Sequence, residues 1–123
     1  MSTIKANTLL HSDGSTTNPP AIPALDKRMV KAWVNFNGIG TLAIRDSEGV
    51  SSVTDSSVGN YLVNFATAMA NTNYCAIAST ERTSTWADGG VNVINFLTTR
   101  FHLQNVENTA AVDTAIFSVA VIA

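Results

Sequence analysis

The feature that most constrains the fold is an alternating stretch from Lys31 to Asp55 that glycines interrupt. From Ala32 to Phe36, apolar residues occupy every second position, which is the pattern of a strand with one buried face. Gly38 and Gly40 tolerate positive φ where the chain must reverse. A second reversal is expected around Ser47 to Gly49. This stretch therefore predicts three short strands joined by glycine turns.

The remainder of the chain continues in the same manner. Further extended segments are predicted at Tyr61–Phe65, Tyr74–Ser79, Val91–Leu97, Phe101–Asn105 and Ala115–Ile122. The third and fourth of these are expected to pair across Thr98-Thr99. Seven or eight short strands with few helical signals predict an all-β fold, a small antiparallel β-sandwich or barrel-like domain over residues 31–123.

The first thirty residues differ in kind and predict an extended N-terminal arm and linker over residues 1–30. Thr3–Leu10 is expected to form a short arm or edge strand, and the prolines from Asn18 to Pro23 favour extended backbone. A short helix beginning at Pro23 is one interpretation, and a plain linker is the other. The helix would place four apolar residues at heptad spacing and could form an oligomeric neck: Ile22, Leu25, Met29 and Ala32.

The composition is polar but weakly charged. Charged residues make up 13% of the chain, whereas Ser, Thr and Asn together number 38. Such a surface suits a chain repeated around a symmetry axis, because charges near the axis would repel their own copies. A β-protein with threonines on its outward faces would have the same composition. With a net charge of −2, no basic stripe is available for nucleic acid.

A longer pattern of residues covers Lys31 to about Ala78 in fixed order. It comprises Trp33-Val34-Asn35-Phe36-Asn37-Gly38, Gly40-Thr41, Ile44-Arg45-Asp46-Ser47, Val50-Ser51-Ser52, Thr54-Asp55, Gly59-Asn60-Tyr61, Val63-Asn64-Phe65, Thr67-Ala68-Met69 and Asn73-Tyr74. This pattern resembles a small module of tail-fibre and virion appendage proteins of bacteriophages, especially marine and cyanobacterial phages. The similarity is looser at Phe117–Ile122 and almost absent from Glu81 to Asn92.

The resemblance implies a β-rich, usually trimeric domain on the outside of a virion, in the tail or on the capsid. The implied function is a tail fibre or receptor-binding appendage that attaches the virion to the host cell surface. The alternative is a purely architectural role, as a capsid decoration protein or a tail or baseplate adaptor. The expected partners are other copies of the chain, virion proteins bound through the arm, and a host surface glycan or protein receptor.

The sequence predicts neither an enzyme nor a cofactor. His11 and His102 lie far apart without ligands at metal-binding spacing, and the segment Asp46-Ser47-Glu48-Gly49 lacks the ligand number and spacing of a calcium loop. No catalytic residue or metal ligand is predicted, and no nucleophile or phosphate-loop motif is found. Cys75 is expected to be a small buried side chain. No signal-peptide pattern or membrane-length apolar run is seen, so membrane insertion is not expected. A phage structural protein synthesised in the host cytoplasm, as the resemblance implies, would have these properties, and so would any ordinary cytoplasmic protein.

Two groups of residues are candidates for intermolecular contact. The segment Glu81–Gly90 reads as an exposed loop between strands, and three of its side chains are candidates for receptor or glycan contact: Arg82, Trp86 and Asp88. Packing of Trp86 on its own domain or on a neighbouring subunit is the competing interpretation. Oligomer packing is predicted for Ile22, Leu25, Met29 and Trp33, although Trp33 also suits a core position.

Overall fold

A computed structural model of the chain describes residues 2–3, 5–8, 10, 13–14, 28–81 and 88–123. This part of the chain contains nine strands and no helix. The strands are β1 (Val30–Asn37), β2 (Ala43–Glu48), β3 (Val50–Ser57), β4 (Asn60–Phe65), β5 (Cys75–Thr80), β6 (Gly89–Ile94), β7 (Arg100–Glu107), β8 (Ala110–Ala111) and β9 (Phe117–Ile122).

The strands form two antiparallel sheets. Sheet A has four strands in the order β2-β1-β9-β5, and sheet B has the order β3-β4-β7-β6, with the short β8 paired to β7. The expected pairing of the segments before and after Thr98-Thr99 is confirmed as the β6–β7 pair. The predicted all-β class is therefore confirmed, and the two sheets are consistent with a β-sandwich.

The core is built from alternate residues of both sheets. Val34, Phe36 and Phe117 of sheet A are almost fully buried, as are Tyr61 and Phe101 of sheet B. The Phe36 and Phe117 rings stack with centroids 4.8 Å apart, and the Tyr61 ring meets Phe36 edge-on at 5.1 Å. Offset and edge-on geometries are the favoured arrangements for aromatic pairs. The alternation predicted for Ala32 to Phe36 is thus the alternation that fills the core.

The reversal predicted around Ser47 to Gly49 is confirmed at Gly49, but the two strands that it joins do not form a hairpin. β2 continues to Glu48 and β3 begins at Val50 in the other sheet, so the chain crosses between sheets at Gly49. Gly49 has φ 68°, and a Cβ there would lie 2.5 Å from the Lys31 carbonyl oxygen. One left-handed residue therefore makes the whole connection, in which the chain reverses and passes from one sheet to the other.

The strand directions define two ends of the domain. The turns at 38–42, 58–59, 108–109 and 112–116 lie at one end, together with Glu81 and Asp88; we call this the loop end. Val30, where the arm joins the domain, lies at the opposite end with Gly49 and the turns at 66–74 and 95–99; we call this the arm end. The arm and the Glu81–Gly90 segment therefore leave the sheets at opposite ends.

A buried polar network holds the loop end together. The Tyr61 hydroxyl donates to Oδ1 of Asp113 at 2.6 Å, and the Gly59 amide donates to the same oxygen at 2.7 Å. Burial and the hydrogen bond to Asp113 raise the pKa of the Tyr61 hydroxyl well above its usual range. A Cβ on Gly38 would lie 2.3 Å from the Tyr61 hydroxyl oxygen, so the backbone can approach the ring only because residue 38 is glycine.

Two predictions about single segments are corrected. Met29 lies in a bend and Val30 begins β1, so a helix does not extend to Ala32, which is instead 1% exposed in the core. Cys75 is exposed, because the alternation of β5 turns Ala76 and its even-numbered neighbours inward and leaves Cys75 on the outer face. Ile22, Leu25, Arg82 and Trp86 lie outside the described residues.

Candidate interaction surface

The outer face of sheet A carries a row of apolar side chains across three strands. Trp33 of β1 is paired with Ala120 of β9, and Ala120 is paired in turn with Ile77 of β5. In the neighbouring row, Val30 and Cys75 both pair with Ile122. Directly paired residues lie about 5 Å apart on one face of a sheet, so these six side chains are contiguous. We call them the apolar patch: Val30, Trp33, Cys75, Ile77, Ala120 and Ile122.

The patch is exposed to solvent and is not flat. The exposed fraction is 37% for Trp33, 50% for Val30 and 57% for Ile77. Because Ala120 is small, it leaves a groove of about 390 Å³ between Trp33 and Ile77. Contiguous apolar surface with an exposed tryptophan is characteristic of interaction sites, whereas apolar residues scattered singly carry no such meaning.

The patch is bounded on one side by a polar row. Asn35 donates through Nδ2 to Oγ of Ser118 at 2.8 Å. Arg45 of β2 donates to Oδ1 of Asn35 at 3.3 Å and to the Ala115 carbonyl oxygen at 2.6 Å. These bonds occupy the polar groups beside Trp33 within the domain itself, so the apolar patch is the part of this face that lacks a partner in the described structure.

Charge is confined to the margins of this face. β5 and β9 contain no charged residue, and β1 contains only Lys31, which lies where the β1–β9 register is irregular. Glu48 and Asp46 stand opposite Trp33 and Asn35 on the neighbouring β2. A surface with a neutral centre can be buried without the desolvation cost of an unpaired charge.

The residues predicted to make contacts are separated by the fold. Trp33 lies in the patch. The half-buried Met29 directly precedes Val30, which is another member of the patch. Asp88 lies at the loop end, where its amide donates to Oδ1 of Asn108 at 3.0 Å and its carbonyl accepts from the Asn108 amide at 2.7 Å. The structure therefore groups Met29 with Trp33 and assigns Asp88 to a different surface.

Four members of the patch besides Cys75 were not singled out from the sequence: Val30, Ile77, Ala120 and Ile122. Ile77 and Ala120 lie in segments that the sequence predicts as strands. Because successive side chains of a strand point to opposite faces, the alternation could have predicted that both point outward. Their proximity to Trp33 depends on the pairing of β9 with both β1 and β5. Pairing between segments so distant in sequence is not encoded in local alternation.

Within the described residues, no cluster of three or more His, Cys, Asp or Glu side chains is arranged to hold a metal ion. The same residues contain no helix long and apolar enough to cross a membrane. No protein-family profile matches the chain, and no curated protein or solved structure is significantly similar to it.

Proposed function

We propose that the protein is a homotrimeric virion structural protein, a tail fibre or receptor-binding appendage, whose copies pack through the apolar patch. The observation that carries this proposal is the exposed, uncharged row of Trp33, Ala120 and Ile77 on sheet A. The sequence resemblance to phage appendage modules supports the trimeric state and the location on a virion.

A second copy of the chain is the partner that best fits this surface. Around a symmetry axis, every side chain near the axis meets its own copies, so a charged centre would be repelled by itself. The neutral patch avoids this cost. Trp33 is a side chain of the type that most often dominates interface energies, and Ile77 lies across the groove from it. Burial of apolar area contributes roughly 25 cal/mol for each Å² removed from water.

The placement of the two ends supports a division of roles. The arm joins the domain at Val30, whereas Glu81 and Asp88 leave the sheets at the loop end. Attachment to other virion proteins through the arm would therefore leave the loop end directed outward. A host glycan or protein receptor would meet the loop end, where Asp88 is held by Asn108.

The experiment that tests this function is a reconstruction of the virion at side-chain resolution. We expect three copies around one axis, with their sheet A faces turned toward each other, in a tail fibre or appendage. Finding the chain on the capsid facets, or between larger tail components, would replace the receptor-binding role with an architectural one. Finding the patch exposed to solvent in the virion would refute the proposed packing.

A further inference from the structure

A second groove lies on the outer face of sheet B, on the side opposite the apolar patch. It is formed where the β6–β7 turn meets β4, and it has a volume of about 440 Å³. We call it the His102 groove. Its lining includes three apolar and three polar side chains: Leu62, Phe96, Leu97, Asn95, Arg100 and His102.

Hydrogen bonds within the turn and from Tyr74 hold the turn that forms one wall of the groove. The Leu97 amide donates to the Arg100 carbonyl oxygen at 2.9 Å, which closes the turn. The Tyr74 hydroxyl donates to the Leu97 carbonyl oxygen at 2.9 Å and lies 3.2 Å from that of Arg100. Asn95 adopts φ 52°, a left-handed conformation that Asn tolerates better than most residues. The groove is therefore a preformed feature of the hairpin.

His102 contributes a hydrogen-bond donor that has no acceptor. Its Nδ1 lies 3.3 Å from Nδ2 of Asn95, and an amide nitrogen can only donate. Nδ1 therefore accepts, and the neutral ring carries its proton on Nε2. Nε2 is buried and has no hydrogen-bond partner among the described residues. A buried polar atom without a partner is uncommon in folded proteins and requires an explanation.

The charge of the groove is positive. Arg100 is exposed and no acidic side chain belongs to the lining. On the paired strands, His102 faces Leu62 of β4 and Ile94 of β6, and Arg100 faces Asn64. A guanidinium group binds a planar carboxylate through two parallel hydrogen bonds, and the apolar wall of Phe96 and Leu97 suits a ring or hydrocarbon body.

We propose that the His102 groove binds a carboxylate attached to an apolar or ring-shaped body. Arg100 pairs with the carboxylate, Phe96 contacts the body, and Nε2–H of His102 donates to a carboxylate oxygen. Arg100 is exposed in the free protein, whereas Nε2 is buried there, so the bond from Nε2–H requires a local rearrangement when the carboxylate binds. The site does not depend on trimer formation or on a virion location, because it lies on the other sheet.

The test is a titration of isotope-labelled full-length protein with benzoate, followed by amide chemical shifts. Benzyl alcohol, which has the same ring without the charge, is the matched control ligand. We expect saturable shifts at residues 95–102 with benzoate and at least tenfold weaker binding of benzyl alcohol, because charge-assisted hydrogen bonds are the stronger class. Absence of saturable shifts, or equal binding of the two compounds, would overturn the proposal.

Two variants assign the roles within the groove. Arg100→Gln should weaken benzoate binding at least tenfold, while Arg28→Gln, which removes an exposed arginine outside the groove, should leave it unchanged. His102→Leu should weaken binding and change the unfolding midpoint little, because the Nε2 donor has no partner in the free protein and the bond to Asn95 that is also lost is long, at 3.3 Å, and exposed. Benzoate affinity that is the same in Arg100→Gln as in the natural sequence would contradict the site.

Discussion

The outer faces of the two sheets carry different kinds of side chain. On sheet B, Asn64 donates through Nδ2 to the hydroxyls of Ser52 and Thr54 at 3.0 and 3.2 Å, and Gln104 donates to Asn60 at 3.2 Å. On sheet A, the centre of the face is the apolar patch. These Asn and Gln side chains of sheet B form hydrogen bonds within one chain, whereas the apolar face gains free energy only when another surface covers it.

The difference arises from residues at equivalent positions of the pleat. Val34-Asn35-Phe36 in β1 and Val63-Asn64-Phe65 in β4 both direct Val and Phe inward and Asn outward. Two positions before each of these Asn residues, the outward residue is the exposed Trp33 in β1 and the half-buried Leu62 in β4. The shared inward residues build one core, whereas the outward neighbours differ: Ala120 and Ile77 continue the apolar surface beside Trp33, and Asn60 and Asn64 flank Leu62 with polar groups.

The largest loss of unfolding free energy is expected from a change to a core residue between the two sheets. Phe36→Ala removes a fully buried ring that stacks on Phe117, and large-to-small changes of this kind cost about 3–5 kcal/mol. Urea denaturation should show this loss of unfolding free energy, or no folded protein at all. A loss below about 1 kcal/mol would mean that the sheets do not pack as described.

A smaller effect, on association and not on folding, is expected from a change to the outward face of β1. Trp33→Ala removes the largest side chain of the apolar patch and should raise the dissociation constant of the proposed trimer by at least tenfold, or about 1.4 kcal/mol. The far-ultraviolet circular dichroism spectrum should not change. Unaltered association measured by concentration-dependent light scattering would remove Trp33 from the interface.

The loop end should make stability sensitive to alkaline pH. Because the pKa of Tyr61 is raised by burial, the folded state retains that proton at a pH where the unfolded chain releases it. The unfolding free energy should therefore fall as pH rises above about 10, the usual pKa of tyrosine. Tyr61→Phe should flatten this dependence, leaving the contribution of Tyr74, whose pKa is also raised by burial.

At neutral pH, the same Tyr61→Phe change should cost about 1–2 kcal/mol, since it removes the hydrogen bond to Asp113. Unfolding curves at a series of pH values measure both effects. Equal slopes for the two proteins above pH 10 would show that Tyr61 is not the group responsible.

The smallest effect is expected on the outer face of sheet B. Asn64→Ala removes hydrogen bonds to Ser52 and Thr54 on the outer face of the interior strand β4, and should cost about 0.5–1 kcal/mol of unfolding free energy. Association should be unchanged because the residue lies on the face opposite the patch. A loss of oligomer in this variant would show that sheet B also contributes to assembly.

Local patterns predicted much of the fold but little of the surface. The alternation of β1 and the β6–β7 pair were predictable because their signals lie within one or two adjacent segments. The reversal at Gly49 was predictable, whereas the crossing from one sheet to the other was not, because a glycine turn marks both a hairpin and a connection between sheets. Cys75 was placed inside because its chemistry favours burial, whereas the pleat turns it outward. The patch required the pairing of β1, β9 and β5, which alternation does not specify.

The measurement that tests the central claim most directly is the mass of the full-length protein in solution, determined by sedimentation equilibrium for three proteins. The natural sequence and Val58→Glu should both sediment as trimers, because Val58, although 59% exposed, lies in a loop-end turn away from the patch. Ile77→Glu, which places a charge in the patch, should sediment as a monomer. A monomer for the natural sequence, or a trimer for Ile77→Glu, would contradict the claim that the patch joins copies of this chain.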